Sequence, residues 1–536
     1  MKFHKSGLLI AAVLGVVLTT LFLFSYYPVG FAREDKRTSK SAPPVVRENE
    51  KVSTAPDDTS LARELDRIIG ESNVPARWGV FVISQKDGRI LYSRDADKSF
   101  TPASNMKVYT TAVALDSLGG DYRWRTSVYA RKQPDSNGVL DGELILYGRG
   151  APDLISRPKG DAPSLANLVD QLYQAGVREV RGGVVGDASY LRGELFGLGW
   201  QWNDLQWYFG AEPSALSIDE NSVEVTMSPA SKKGENANVI VTPNQNFVRL
   251  TNTATTGEPD TITTIGIMRG LSDNNLRVWG GFPVGGRAFS AFISVHDPAM
   301  WAATLFKQAL IARGIKVNGE VRSRDFRAPE SDKFDPQKGV ELAYANSEAL
   351  AEIVRRTNKE SNNLFAELIL RTVGKESGSS APDPDPRKNA ARGDDEAGTA
   401  VVRAWLESKG IATRAVSIRD GSGLSRLDLV TPETTARLLL AMTSSRAAAE
   451  FHDSLPNAGH DGTLASRLKN MTGRIFAKTG TLTYTHSLSG YATIQRNDVL
   501  VFSIMCNDAV ADRGAVAIID QIASAIADFG RPQPAK

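Results

Sequence analysis

The chain is poor in the residues that most often build covalent cross-links and metal centres. It has one cysteine, Cys506, so an internal disulfide is excluded. Set in Val501-Phe-Ser-Ile-Met-Cys506, that residue reads as a small buried hydrophobe in a strand, because no thiol-enzyme signature surrounds it. There are only five histidines, His4, His296, His452, His460 and His486, and none has the spacing of a His-Glu-x-x-His metal site. His486 reads as a surface or packing residue. Charge of one sign is also lacking. Sixty-three basic residues against 61 acidic ones leave +2, and no basic stripe interleaved with aromatics offers nucleic acid a face.

Long apolar runs are scarce, with one exception. Lys2, His4 and Lys5 precede an uncharged stretch from Gly7 to about Tyr27. Some twenty helical residues match the roughly 30 Å hydrocarbon core of a bilayer. Two readings follow: a signal peptide cleaved after Gly30-Phe31-Ala32, or an uncleaved anchor through residues 7–27. Both export the remainder, given basic residues ahead of the run.

That remainder is globular by composition, 41% hydrophobic and 23% charged, and 536 residues exceed one ordinary core. Residues 33–60 are charged, rich in Ser, Thr and Pro, and nearly lack large apolar side chains. Burial cannot offset the entropy of ordering them, so a flexible linker is expected. An amphipathic helix is expected near Leu61–Ile69. Trp78–Ser84 and Arg89–Ser93 then flank Lys86-Asp87-Gly88, a hairpin signal. From about Arg125 to Val295, alternating runs such as Thr126–Ala130, Glu143–Tyr147, Val223–Met227, Val239–Val241, Phe247–Leu250 and Ala288–Ser294 are separated by turn residues. This is the texture of a β-rich region.

Helical patterns return at Pro298–Arg313 and over Ser347–Thr372. Residues 373–397, rich in Gly, Ser, Pro and Asp, predict a mobile surface loop. Thr431-Pro432-Glu433 supplies an N-cap, an N1 proline and an early acid. Ala515–Phe529 reads as an apolar helix covering a sheet face. The organisation expected is an α/β domain in two pieces, 61–125 and 346–536. A β-rich module, 126–345, of two subdomains interrupts it.

Three motifs carry chemistry. Ser104-Asn-Met-Lys107 follows Pro102-Ala103 and is expected to open a helix, where residues three apart share a face. Serine is a poor nucleophile until a neighbour takes its proton. Lysine can do so only when neutral, so the pKa of Lys107 must fall through burial or a nearby cation such as Lys478. Backbone N–H groups at the helix start suit an oxyanion. Ser361-Asn362-Asn363 interrupts two helical stretches, with Ser361 placed to relay protons and Asn363 to hold a substrate amide. Lys478-Thr479-Gly480 is expected on an edge strand. Lys478 and Thr479 offer a cation and a hydroxyl to a terminal carboxylate, and Gly480 leaves room for substrate backbone. Thr481 N–H is the second oxyanion donor.

Two decoys share the spelling. Ser466-Arg-Leu-Lys469 also reads Ser-x-x-Lys, but it lies just before Lys478 and reverses the order of parts, so a solvated helix face is expected. Ser272-Asp-Asn274 falls between the strand-like runs Thr261–Met268 and Leu276–Trp279, where it is ordinary turn chemistry.

The set Ser-x-x-Lys, Ser-x-Asn and Lys-Thr-Gly, in this order, resembles the low-molecular-mass penicillin-binding proteins of the D-Ala-D-Ala carboxypeptidase/endopeptidase group, peptidase family S13. Gly186-Asp187, Gly199-Trp-Gln-Trp202, Tyr208, Asn221-Ser-Val, Lys359-Glu-Ser-Asn-Asn-Leu364, Asp420-Gly-Ser-Gly-Leu-Ser-Arg426 and Gly462-Thr-Leu464 extend the likeness over roughly residues 60–530. The family carries a large insertion between its first two motifs, as does this chain, where 361 − 104 leaves 257. Asn362 stands where aspartate is common, although the chemistry resides in the outer two residues. The apolar run and the 373–397 segment are not family features.

The resemblance implies an α/β (α+β) fold. It would be a penicillin-binding/serine β-lactamase-like transpeptidase domain with an antiparallel sheet flanked by helices and a large β-rich insertion. It further implies a serine-type D-Ala-D-Ala carboxypeptidase or DD-endopeptidase acting on peptidoglycan peptides through Ser104, inhibited covalently by β-lactams, without metal or cofactor. The location implied is the periplasm or the extracytoplasmic face of the membrane. The alternatives are a β-lactamase, to which the long insertion is foreign, and a non-hydrolytic β-lactam sensor or cell-wall-binding protein. Against the latter stand the intact Ser104, Lys107 and Lys478.

Overall fold

Strands from the two ends of the chain share one sheet. In this computed structural model, which describes residues 58–160, 162–243, 246–378, 393–510 and 514–530, its order is Ile475–Leu482, Thr485–Thr493, Val499–Asn507, Arg77–Ser84, Ile90–Arg94. Every neighbouring pair is antiparallel. Arg77 lies opposite Asn507, so the sheet closes only with the last strands. The apolar run 7–27, the linker as far as residue 57, and residues 379–392 lie outside the described residues.

Alternation along Arg77–Ser84 explains why both faces are covered. Val80 and Val82 join Leu500, Phe502, Ile504 and Cys506 in a cluster under helices Asp58–Glu71 and Ala515–Asp528. Phe81 and Ile83 join Tyr491, Val501 and Met505 in a second cluster with helices Met106–Leu118 and Pro432–Met442. Cys506 is fully buried in the first of these clusters, and its thiol is pushed up to about 12 by burial. Helix Pro432–Met442 starts as expected, Thr431 Oγ1 accepting the Thr434 N–H at 2.9 Å. Lys478-Thr479-Gly480 lies on the sheet's edge strand.

The 126–345 region builds a five-stranded mixed sheet, ordered Val321–Arg324, Val184–Asp187, Leu144–Tyr147, Arg125–Ala130, Val340–Asn346, with several smaller sheets. Arg125–Ala130 and Val340–Asn346 run antiparallel side by side, carrying the chain in and out. Helix Leu165–Gln174 is an element that the strand-like texture concealed. Leu165, Leu168, Val169 and Leu172 recur at i, i+3, i+4 and i+7 and are buried, and Ser164 is its N-cap. The described residues lie within one compact unit, Thr54–Lys536.

Several expectations need correction. Residues 58–60 begin the helix Asp58–Glu71 rather than end a linker. Residues 373–377 and 394–397 are helical, in Asn363–Ser377 and Asp394–Ser408, not loop. The glycines there mark close helix packing: a Cβ on Gly374 would sit 1.9 Å from the Asp394 carbonyl oxygen. Asp394, Asp395 and Glu396 then suit a helix N-terminus. Ser466 and Lys469 are exposed but share no helix face: Ser466 lies in a turn, Leu468 takes a left-handed φ of 52°, and Lys469 opens a separate 3-10 turn, Lys469–Met471. Of the two readings of His486, surface or packing, burial on strand Thr485–Thr493 gives packing. Among the described residues no helix is long and apolar enough to cross a membrane.

Candidate active site

Ser104 does not open the α-helix but sits on a single 3-10 turn, Ala103–Asn105, that feeds Met106–Leu118. Ala103 has a left-handed φ of 48°, uncommon for a residue with a Cβ. The turn is tied to the sheet. Asn105 Nδ2 donates to the Lys478 carbonyl at 3.2 Å and to Ser487 Oγ at 2.6 Å, and Ser487 Oγ donates to the Pro102 carbonyl at 2.7 Å. Asn105 is buried while Ser104 remains partly exposed.

Helix Met106–Leu118 is buried on every side from Met106 to Leu115, so Lys107 is carried inside the protein. Its Nζ lies 2.9 Å from Ser104 Oγ, 2.6 Å from Asn363 Oδ1 and 2.8 Å from the Ser422 carbonyl. The Asn363 amide is oriented by its Nδ2, which donates to the Phe209 carbonyl at 2.8 Å, leaving Oδ1 toward the lysine. Asn363 Oδ1 and the Ser422 carbonyl can only accept. They take the two N–H bonds of a neutral amine, and its lone pair is left for the Ser104 hydroxyl proton. Burial pushes Lys107 down to about 7, with Asp420 and Glu367 opposing. Of the two causes expected, burial or a nearby cation, it is burial that lowers Lys107.

Ser361 adopts a left-handed φ of 61° between helices Leu350–Lys359 and Asn363–Ser377. Asn362 caps the second helix, its Oδ1 accepting the Phe365 N–H at 3.1 Å. Ser361 Oγ accepts from Lys478 Nζ at 2.9 Å, and Lys478 also donates to the Thr479 carbonyl at 2.9 Å. Lys478 is fully buried, and burial together with the charge of Lys107 holds it well below the usual lysine range. Thr479 Oγ1 donates to Thr463 Oγ1 at 2.7 Å. Thr481 is exposed toward the end of the strand.

Gly480 has a different reason from the one expected. A Cβ there would lie 2.3 Å from Ser487 Oγ, 2.7 Å from the Pro102 carbonyl oxygen and 3.0 Å from Ser104 N. It is the turn carrying Ser104 that needs the space.

The fold therefore brings Ser104, Lys107, Ser361, Asn363, Lys478, Thr479 and Gly480 into one connected cluster, and leaves both decoys out. Ser272-Asp-Asn274 is the link between antiparallel strands Gly266–Arg269 and Asn275–Trp279. Four contributors had no assigned role in the sequence: Asn105, Ser422, Thr463 and Ser487. Asp420-Gly-Ser-Gly and Gly462-Thr-Leu were visible as motifs. A backbone carbonyl such as that of Ser422 leaves no mark in a side-chain pattern.

Comparison with known proteins identifies the family and the fold. The model of the D-Ala-D-Ala carboxypeptidase 3 (S13) family matches residues 61–528. A D-alanyl-D-alanine carboxypeptidase of Actinomadura sp. (strain R39) is 33% identical over 489 residues, covering 89% of this chain and 86% of its own. The D-alanyl-D-alanine carboxypeptidase DacB of Haemophilus influenzae is 28% identical, over 75% of this chain and 79% of its own. In fold, the crystal structure of penicillin-binding protein 4 from H. influenzae superposes with a TM-score of 0.72 at 24% identity, covering 88% of this chain and all of that one. A second structure of that protein, complexed with a β-lactam, gives 0.66 at 22%, covering 87% of this chain and 97% of that one. Since the family match runs from the first described helix to the last, the chain belongs to the D-Ala-D-Ala carboxypeptidase 3 (S13) family.

Proposed function

We propose that this protein hydrolyses the amide between two D-alanines in peptidoglycan stem peptides or their cross-links, and that β-lactams acylate the same serine. The observation that carries the reading is the placement of the Lys107 amine between two obligate acceptors and the Ser104 hydroxyl. Ser104 Oγ attacks the peptide carbonyl carbon while its proton passes to Lys107 Nζ. The C–N bond then breaks, and the proton held by Lys107 passes through Ser361, whose Oγ is bonded to Lys478, to the departing amine, which leaves Lys107 neutral and Ser361 a hydroxyl. Water later attacks the ester and releases the acid and the free Ser104 hydroxyl.

Thr479, with Lys478, receives the substrate's terminal carboxylate. Thr481 N–H and the Ser104 N–H stabilise the oxyanion. Asn363, with Oδ1 kept on Lys107, offers an Nδ2 N–H to the substrate amide. The activity of the Actinomadura relative and the β-lactam bound by the H. influenzae protein support the same assignment. A peptidoglycan substrate places the protein outside the cytoplasm, and the apolar run 7–27 supports export, as signal or as anchor.

The test is release of free D-alanine from a pentapeptide ending in D-Ala-D-Ala, run beside labelling with a fluorescent penicillin. Both should occur, and both should vanish in Ser104→Ala. Labelling without turnover would make the protein a sensor. Rapid release of the label would make it a β-lactamase.

A further inference from the structure

Two buried carboxylates lie behind Lys107 without touching it, and both grip the turn at residues 420–425. Glu367 is fully buried on helix Asn363–Ser377, one turn after Asn363. Its Oε1 accepts the N–H of Gly421 at 3.0 Å and of Ser422 at 2.9 Å, and its Oε2 accepts from Arg371 at 2.9 Å. Asp420 accepts the N–H groups of Gly423 and Ser425, each at 2.7 Å. From the nucleophile's own helix, Thr110 Oγ1 donates to the Gly421 carbonyl at 2.8 Å. The carbonyl of Ser422, held from three directions, is the one that takes a Lys107 N–H.

We propose that Glu367 is a positioning residue for the reaction: it holds the Gly421–Ser422 turn so that the Ser422 carbonyl occupies one N–H of Lys107 and the lone pair stays on Ser104. The inference rests on the reading of Lys107 as the base. Its distinctive feature is that Glu367 acts through backbone. Asn363 and Glu367 lie on one helix, so a single rigid element sets both acceptors of the amine, one directly and one through the turn.

The charge surroundings give the pH dependence a sign. Lys107 is faced by Glu367 from its helix, Asp420 from the turn and Lys478 from the edge strand, and Glu367 by Arg371, Asp420 and Asp428. Burial and Asp420 push Glu367 up to about 7 while Arg371 opposes; in the ionised form that its two backbone N–H donors and Arg371 favour, Glu367 favours protonated Lys107. Removing that charge lowers the pH at which the amine becomes neutral.

Glu367→Gln is the direct probe. A glutamine's NH₂ must face either the two backbone N–H groups or Arg371, donor against donor, so the turn shifts. The second-order rate of acylation by benzylpenicillin at its high-pH plateau should fall about 10- to 100-fold, the scale of an ångström's misplacement. The midpoint of the pH profile should move down. Glu367→Gln/Arg371→Gln removes the stranded cation. In this double variant the glutamine oxygen can again accept both backbone N–H groups, so the rate should recover with the melting temperature while the midpoint stays low; a rate still depressed once the melting temperature has recovered overturns the proposal. A folded Glu367→Gln with wild-type rate and midpoint overturns it too.

Should neither variant fold, Thr110→Val removes a different restraint on the same turn. It should still slow acylation several-fold, and a wild-type rate there contradicts the role given to the Ser422 carbonyl. Lys107→Ala, measured alongside, separates the two readings. Wild-type acylation in that variant sinks the base assignment itself. An inert Lys107→Ala beside unaffected Glu367 variants sinks only the positioning role.

Discussion

At Ser104-Asn-Met-Lys107 the lysine is wholly buried and its amine has three partners, while at Ser466-Arg-Leu-Lys469 both side chains stand in solvent on a turn. Ser361-Asn-Asn363 and Ser272-Asp-Asn274 form a second such pair. Asn363 faces a lysine, whereas Asn274 is bolted to backbone, Nδ2 donating to the His296 carbonyl at 3.0 Å and Oδ1 accepting the His296 N–H at 2.8 Å. The difference teaches that reactivity here comes from surroundings. An ammonium in water keeps its proton at neutral pH, and only a desolvated amine with its N–H bonds occupied can accept one from serine.

The largest effect that would break this comparison is at the serines and lysines themselves. Ser104→Ala and Lys107→Ala should each lower penicillin acylation by at least about 10⁴-fold, with the double variant little worse than either. Ser466→Ala and Lys469→Ala should leave the rate unchanged. Stopped-flow acylation of all five proteins checks both halves, and full additivity in the double variant would contradict a shared step.

Next in size is Gly480→Ala, which forces a Cβ toward Ser487 and the Pro102 carbonyl. Displacing the nucleophile's turn should cost about 100-fold in acylation. A near-normal rate would show that the turn tolerates the shift.

Smaller again is the pH profile of the wild-type enzyme. Burial pushes Lys107 down to about 7, so the proposed base role predicts acylation that rises from acid to base. Between pH 6 and pH 9 the gain should be about tenfold, set by the neutral fraction. A profile flat over that range would remove the base role. The smallest effect on activity belongs to Asn274→Ala. It should cost about 1–3 kcal/mol of stability by stranding polar groups of His296, seen as a lower melting temperature, with acylation intact.

Much of this was legible in the sequence because the local patterns and the long-range plan agree. The Lys86-Asp87-Gly88 turn marked the strand expected at Trp78–Ser84, alternation marked strands of the 126–345 region, and the Thr431-Pro432 cap marked its helix. The edge placement of Lys478 followed from the order of parts. What stayed hidden depended on partners distant in sequence. Gly374 resembled a loop residue until the close approach of Asp394 was seen, and Gly480 suggested room for substrate when the space belongs to Pro102 and Ser104. The source of the depressed Lys107 pKa was also open, because burial on all sides of a helix cannot be read from its own residues. Helix Leu165–Gln174 had the right periodicity, but a strand-rich neighbourhood masked it.

The most direct measurement is the site of covalent capture. The protein is exposed briefly to benzylpenicillin at pH 8, digested with trypsin, and the adduct located by tandem mass spectrometry. A buried neutral amine at Lys107 predicts the penicilloyl group on Ser104 and none on Ser466 or Ser272. An adduct on any other side chain, or equal capture when Lys107 is replaced by alanine, would contradict the account.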